Sequence, residues 1–581
     1  MGRLLLRLSV CLMVMFFGFG AIALAQVLGV VIDDDFLSQT DVDVYNSSHG
    51  TSYTFGYDAF NLIQEGVDAV ADAGVISVLN GTYYYNINIV DRNGIILSGE
   101  SRDETILYPA FTLDWNVGSY GSSRKTAIRV VNSTDITITN VTLNLAGIAG
   151  DNRSGLLYWN SSGSITNNLT KNNTTAGYYE ITAYLRAPDL SDAARAQIDI
   201  TGNTFLNTGR VGIVIHDYVN VNIEDNSFDQ VDPDFGYGIE LGSMAGGIIK
   251  RNSFRNYSTW AATDQSTVSA IYIENSYTSG VPAVDKYVVV DSNDISHCQY
   301  GIVVGNQWEG LAGDVDIHAI ISNNEIYDNT TTGSYSSGGI IISDEGRDMG
   351  SAVYATLDNN LINSNGDYGI YIFTKGNGDI SAWLTYNWIL NNFKGIDVKE
   401  FSTVSNSIYN VIVHHNILDN NLNAENDVIS GYWDDMVSVG NCWSDFEGEP
   451  GEAYEIPGTV TTIDRYPNIY CGECNPGDAN NNAVFNIIDI TYIISFLYKD
   501  GPAPIPYSIC SGDPTVNCEV NLLDIVYLIA YIYKDGPAPG NALDWFYACG
   551  GPLRGTPEEG LDDNSLTAGQ LLEVFPVKAF R

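Results

Sequence analysis

Near the C-terminal end of the chain, two stretches carry oxygen-bearing side chains at alternating positions. Asp478-Ala-Asn-Asn-Asn-Ala-Val-Phe-Asn-Ile-Ile-Asp489 places them at positions 1, 3, 5, 9 and 12, and Asp513-Pro-Thr-Val-Asn-Cys-Glu-Val-Asn-Leu-Leu-Asp524 repeats the arrangement. Such a loop turns every second side chain inward and closes on a terminal acid, which suits calcium, a hard cation that takes several oxygens at once. Each loop is followed by an apolar segment, Ile490 to Tyr498 and Ile525 to Tyr533, and then by the same hexapeptide, Lys499 to Pro504 and Lys534 to Pro539. Gly and Pro in the hexapeptide stop each helix. The apolar position 8, Phe485 and Val520, is expected to pack each loop onto its helix.

This duplicated loop and helix, roughly Cys471 to Cys549, resembles a type I dockerin, a module that in its family folds on calcium and plugs into cohesin domains of a scaffold. The resemblance implies Asp478, Asn480, Asn482 and Asp489 as ligands in the first loop and Asp513, Thr515, Asn517 and Asp524 in the second. Val484 and Glu519 are implied as backbone carbonyl donors at position 7. Three positions depart from the family. Position 5 is Asn in both loops, which lowers ligand charge. Position 6 is Ala483 and Cys518 where the family has the Gly of a sharp turn. Positions 10 and 11, often a Ser-Thr pair facing cohesin, are Ile487-Ile488 and Leu522-Leu523. The partner is therefore open between a cohesin-like domain and intramolecular docking on the rest of the chain.

Other residues that could do chemistry are scattered. Asp232 and Asp234, with Glu240 nearby, could form an acid/base pair, but Pro233 between them favours a solvated turn. His216-Asp217 has the look of a dyad, yet neighbours on a strand face opposite ways, so a surface His and a separate structural Asp are expected. Asp344-Glu345 and Asp434-Asp435 fit calcium sites or solvated turns. Trp260, Trp308 and Trp433 lie on what read as inserted loops and could stack on sugar rings. The basic residues that a lyase needs are few, with Lys250 and Arg347 as candidates.

The elements that must position these residues are short strands. From Val75 to Ile429 an apolar strand, an Asn-x-apolar corner and polar turn residues recur, as at Asn203, Asn226, Asn252, Asn293, Asn324, Asn360, Asn387 and Asn416. Between the corners come Gly-apolar strands such as Gly212-Ile-Val-Ile, Gly339-Ile-Ile-Ile and Gly369-Ile-Tyr-Ile, whose β-branched residues suit strands. A loose, strand-rich repeat of this kind indicates a solenoid with one continuous apolar core. Asparagine suits the corner because it tolerates left-handed backbone, and stacked amides can bond from turn to turn. These residues resemble the right-handed parallel β-helix proteins, pectate-lyase-like and NosD-like among them. The resemblance implies an all-β solenoid, followed here by the small helical module.

Asp58 to Ala73 carries Phe60, Ile63, Val67 and Val70 at helical spacing with Gly74 as a stop, which predicts a helix capping the open N-terminal end. Gly440 to Phe446, Tyr454 to Gly458 and Asp464 to Pro467 resemble the closing segment of NosD-type proteins. Copper is not implied, because the mature Met are only Met244, Met349 and Met436 and His is scattered apart from His414-His415.

Residues Arg3 to Gln26 read as a secretory signal: two Arg, an apolar run and Ala23-Leu24-Ala25 as the cleavage site. With 26 Lys and Arg against 70 Asp and Glu, the net charge of −44 opposes contact with nucleic acid or anionic lipid. Cysteines 471, 474, 510, 518 and 549 crowd into the last stretch, a disulfide framework rather than a zinc site in an exported chain. The expected division is a signal at 1–25, an N-terminal segment with its capping helix at 26–74, a β-helix at 75–470, a dockerin-like calcium module at 471–549 and a tail at 550–581. The expected role is a secreted or cell-surface protein that binds polysaccharide or glycan. A polysaccharide lyase or glycosidase with its site on the β-helix face is the alternative, on fold analogy.

Overall fold

The computed structural model describes residues 27–549 apart from 85, 109–112, 117–122, 147–152, 173–179, 231–235, 259–267, 276–281, 307–314, 332–335, 345–350, 376–377, 402–407, 430, 438, 449–450, 468–474, 483, 500, 506–508, 542–544 and 546–547. The signal-like segment and the tail lie outside the described residues. Among those described, no helix is long and apolar enough to cross a membrane.

Three long sheets run the length of the solenoid. One has 15 strands and two have 13, and consecutive turns of chain supply neighbouring strands. Pairing within them is parallel, except where Leu113–Asn116 runs antiparallel to Ser123–Val131. In the first sheet, strands such as Val219–Glu224 and Val353–Asp358 alternate buried and part-exposed residues, the period of two expected where one face meets the core. In the third sheet, Val211–Asp217 and Gly338–Asp344 are buried throughout, so those strands are covered on both faces. Gly339 and Gly369 stand second in strands Gly338–Asp344 and Tyr368–Thr374, where a Cβ at either would come within 2.7 Å of both the next turn's carbonyl and a core isoleucine methyl.

The corner asparagines form a buried ladder. Each side-chain amide from Asn203 through Asn416 donates to the next asparagine oxygen at 2.9–3.0 Å, and each backbone N–H donates to that same oxygen. Stacking was expected, but the backbone role was misplaced. The left-handed residue is the one before the ladder position, for example Asp225, Arg251, Ser292, Asn359 and Tyr386. The ladder asparagine itself is needed for its amide, which also takes carbonyls such as Val290 O and Leu357 O. A second, shorter ladder through Asn329, Asn365, Asn392 and Asn420 does the same at another corner. Inside, Phe205, Phe228 and Phe254 stack at 4.6 and 4.7 Å.

At the N-terminal end, α1 (Gln39–His49) precedes α2 (Ile63–Ala69). The capping helix is shorter than the predicted Asp58 to Ala73. Val70 already belongs to strand Val70–Val78, pairing with Val27, and the Arg92 guanidinium takes the carbonyls of Val67 and Val70 that further helical turns would use. Ile63 and Val67 still close the core. At the other end, Trp433, Trp443 and Tyr454 join the core, and the ladder finishes on the Asp464 carboxylate, which accepts from Asn441 N, Trp443 Nε1 and Tyr466 N. Trp433, a candidate sugar platform in the sequence, is core.

Burial pushes Asp464 up from 3.8 to about 6. The folded cap therefore holds the proton more tightly than the unfolded chain, so its contribution to stability is full below 3.8 and is lost as pH rises through about 6. The segment around Trp433 and Trp443 is expected to melt at lower temperature at about pH 8 than at about pH 5 by tryptophan fluorescence, and Asp464→Asn to flatten that difference. An unchanged dependence in the variant counts against this assignment.

Candidate functional site

The helices after the two loops are α3 (Ile487–Tyr498) and α4 (Leu522–Lys534). Asn486 and Asn521 cap them, each accepting from the backbone two residues on. The position-12 acids complete the capping boxes: Asp489 accepts from Asn486 N at 2.9 Å and Asp524 from Asn521 N at 2.8 Å. Loop closure and helix initiation therefore share one carboxylate. Asp478 accepts from Asn482 N, and Asp513 accepts from Asn517 N and Cys518 N. The Thr515 hydroxyl lies 2.9 Å from Asp513 Oδ1 and 2.8 Å from Asp524 Oδ1, which brings the expected first, third and last ligands of the second loop together.

Asp478, Asp489, Asp513 and Asp524 are all buried. Among the described residues, no Lys or Arg forms an ion pair with Asp489, Asp513 or Asp524. Burial, reinforced by the Asp513 charge, pushes Asp524 up to about 6. Buried acids without a counter-charge, in an oxygen-only donor set, fit a hard divalent cation. Asn480 reaches Asp489 through its backbone N–H at 3.3 Å, while Asn482 and Asn517 turn their side-chain oxygens to Val484 N and Glu519 N. Cys518, at the position of the missing Gly, adopts φ 69° and is disulfide-bonded to Cys549. Ala483 lies outside the described residues.

Phe485 and Val520 do not serve their own helices alone. Both join one cluster with Ile490, Ile493, Ile525 and Leu528 from the two helices, and Phe485 meets the Tyr531 ring edge-on at 5.8 Å. The pairs Ile487-Ile488 and Leu522-Leu523 are exposed. The module also leans on the solenoid: Ile417, from strand Ile417–Asp419 of the second sheet, packs against Cys510 and Trp545. The Trp545 indole N–H donates to Asp513 at 3.1 Å. Cys442, beside Ile417 in the sheet, and Cys510 are each disulfide-bonded. Cysteines 471 and 474 lie outside the described residues.

On the solenoid, the third sheet's outer face holds an aromatic strip that sequence reasoning did not single out. Toward its C-terminal end, Tyr368 and Tyr371 stack at 4.3 Å, Tyr371 and Phe373 at 4.6 Å, and Phe401 meets Phe373 edge-on at 6.4 Å. Phe401 is exposed, as is Phe393. Beside this strip Lys394 bonds both Asp397 and Glu425, Lys399 lies 3.5 Å from Glu425, and Lys375 sits over the Phe373 ring at 4.9 Å. The hydrogen bond from Lys394 holds Glu425 below its usual range. The signal was present at Tyr371 and Phe373, which sit two apart in a strand and so share one face.

Further toward the N-terminus, His216, Glu240 and Glu274 come from three successive strands, with donor atoms within 4.8 Å of one another. His216 is buried, against expectation, because this sheet is covered outside as well as inside. Asp217 is structural as expected: it forms a buried ion pair with Arg186. Asp232, Asp234, Trp260, Trp308, Glu345 and Arg347 lie outside the described residues. Asp344 is buried and accepts from Gly378 N and Thr374 Oγ1. Asp434 is buried against Arg465, and Asp435 caps a turn through Val437 N and Val439 N. Lys250 lies 3.7 Å from Asp291.

Residues 190–333 match the family model described as the right handed beta helix region. No curated protein matches the chain. Among solved structures, the catalytic domain of a GH87 alpha-1,3-glucanase in complex with nigerose is 12% identical, covering 67% of this chain and 67% of its own, with a TM-score of 0.38. PfbA, a surface adhesin of Streptococcus pneumoniae, is 12% identical over 58% of this chain and 87% of its own, with a TM-score of 0.36. The A-module of the Azotobacter vinelandii mannuronan C-5 epimerase AlgE6 is 10% identical over 64% and 93%, with a TM-score of 0.29. Similarities of this size carry no substrate with them.

Proposed function

We propose that this chain is an exported β-helix that binds polysaccharide or cell-surface glycan and is attached through a calcium-dependent, dockerin-like C-terminal module. The observation that carries the glycan reading is the aromatic strip of Tyr368, Tyr371, Phe373 and Phe401 with Lys394, Lys399 and Glu425 at its side. Aromatic faces offer flat apolar platforms to sugar rings, and the charged groups bond hydroxyls or carboxylates. Export is supported by the signal-like residues 3–26 and by the Cys518–Cys549 disulfide, which suits an oxidising compartment.

Calcium is taken by Asp478, Asn480, Asn482, Val484 and Asp489 in the first loop and by Asp513, Thr515, Asn517, Glu519 and Asp524 in the second, with the carbonyls of Val484 and Glu519 completing each ring. The partner surface includes the exposed pairs Ile487-Ile488 and Leu522-Leu523. These are apolar where the family contact is polar, so the partner is a cohesin-like domain with an apolar socket or another surface of this chain, where Ile417 already meets Cys510 and Trp545.

Affinity electrophoresis against uronate and neutral polysaccharides tests the glycan site. Phe401→Ala and Tyr371→Ala are each expected to weaken binding about tenfold with an unchanged melting temperature for the exposed Phe401. Equal retention in both variants counts against the site. Release of unsaturated or reducing ends would replace binding by cleavage.

A further inference from the structure

We propose that His216, Glu240 and Glu274 form a site for one zinc-type divalent ion that ties three successive turns of the solenoid together, separate from the calcium loops. His216 ends strand Val211–Asp217, Glu240 stands in Tyr237–Leu241 and Glu274 ends Ser269–Glu274. The register carries His216 and Glu274 to either side of Gly242, the residue after Tyr237–Leu241, in one outward-facing row. Glycine leaves the space open: a Cβ on Gly242 would lie 2.6 Å from Glu274 Oε1 and 2.7 Å from His216 Nε2 and would displace these side-chain ends. The two side chains thus converge over a space that any other residue would fill.

Glu240 closes that space from the side, with Oε1 3.5 Å from His216 Nε2. Zinc bonds of about 2.0–2.2 Å at tetrahedral angles place donors roughly 3.4 Å apart, so the His216–Glu240 pair already has the spacing and the remaining donor, within 4.8 Å of both, closes by a side-chain adjustment. His216 and Glu274 are 1% exposed and Glu240 13% by side chain, which leaves room for an ion and not for a polymer. One imidazole with two carboxylates selects a first-row transition metal over calcium, which prefers an all-oxygen shell. Three protein donors leave a coordination position for water.

The surroundings fix this geometry. The buried Lys286 ammonium donates to the carbonyls of Leu241 and Glu274, pinning the end of the strand before Gly242 to the end of its neighbour. Tyr184 meets the His216 ring edge-on at 6.2 Å, and Arg186, the register partner of His216, is held by Asp217. Asp285, Asp316 and His318 also cluster, but Asp285 is exposed and the other two are part-exposed on a different sheet, where His318 is stacked between Tyr287 and Tyr354. That group serves as the control.

The test uses the full chain with calcium in excess, so that the loops are filled, and titrates Co2+ as a visible-absorbing stand-in for zinc. One Co2+ per chain is expected, displaced by Zn2+, and Zn2+ is expected to raise the melting temperature of the solenoid. Glu240→Gln, which keeps size, and His216→Ala should each weaken Co2+ binding by more than the about 10- to 100-fold that loss of a supporting hydrogen bond costs. Gly242→Ala should do the same by filling the space, and His318→Ala should change nothing. Absence of stoichiometric Co2+, binding that survives Glu240→Gln and His216→Ala, or binding lost in His318→Ala would each overturn the proposal.

Discussion

Withdrawing calcium is expected to unfold residues 471–549 while the solenoid keeps its strands. The four loop aspartates are buried, and among the described residues no Lys or Arg pairs with Asp489, Asp513 or Asp524, so an empty loop holds these three carboxylates out of water without a described counter-charge. Trp545 gives a local readout because its indole N–H donates to Asp513. Chelation should shift Trp545 emission and abolish the far-ultraviolet helix signal of the module, and calcium should restore both. Asp524→Ala should lower calcium affinity about 100-fold or more, since it removes both the closing ligand and the capping box of α4.

The loops are expected to be coupled. α3 and α4 share one apolar cluster, and Phe485 of the first loop packs on Tyr531 of the second helix. Asp489→Ala should therefore weaken both sites, where independent loops would confine the loss to the first. A circular dichroism spectrum of the module that is identical with and without calcium would exclude the calcium reading.

Asn324→Ala is expected to destabilise the solenoid by about 3–5 kcal/mol, the largest single-residue effect on its stability. Asn324 accepts from the backbone N–H and the amide of Asn293, and it donates to Val290 O and to Asn360. Alanine leaves two donors and a carbonyl unpaired in a buried corner, each at about 1–3 kcal/mol less whatever relaxation recovers. Asn324→Asp keeps the shape but cannot donate, so it should fall between the two. Urea denaturation monitored in the strand region measures both. A loss for Asn324→Ala below about 1 kcal/mol would show that the ladder decorates the turns and does not hold them.

Much of this architecture was legible because it repeats. The Asn-x-apolar corners and Gly-apolar strands recur often enough that the solenoid, its direction of stacking and the amide ladder follow from spacing. The duplicated loop and helix were legible for the same reason, twelve positions repeated with their terminators. The capping helix was read too long because Arg92, far away in sequence, takes the carbonyls that would have extended it. Asp434 was read as part of a calcium site or a solvated turn, yet Arg465 comes from another turn of chain to pair with it.

By itself the sequence determined the elements whose causes are local: strand period, corner amides, helix caps and stops, and the chemical type of each side chain. Only the tertiary structure decided which side chains meet across turns. His216, Glu240 and Glu274 are 24 and 34 residues apart in the chain, separated by loops of unequal length, so no fixed spacing announces that they converge over Gly242. The aromatic strip, the contact of Trp545 with Ile417 and the burial of Trp433 follow the same rule. In a parallel solenoid neighbours are one turn apart, and the length of a turn is set by its loops, which vary without disturbing the register of the strands.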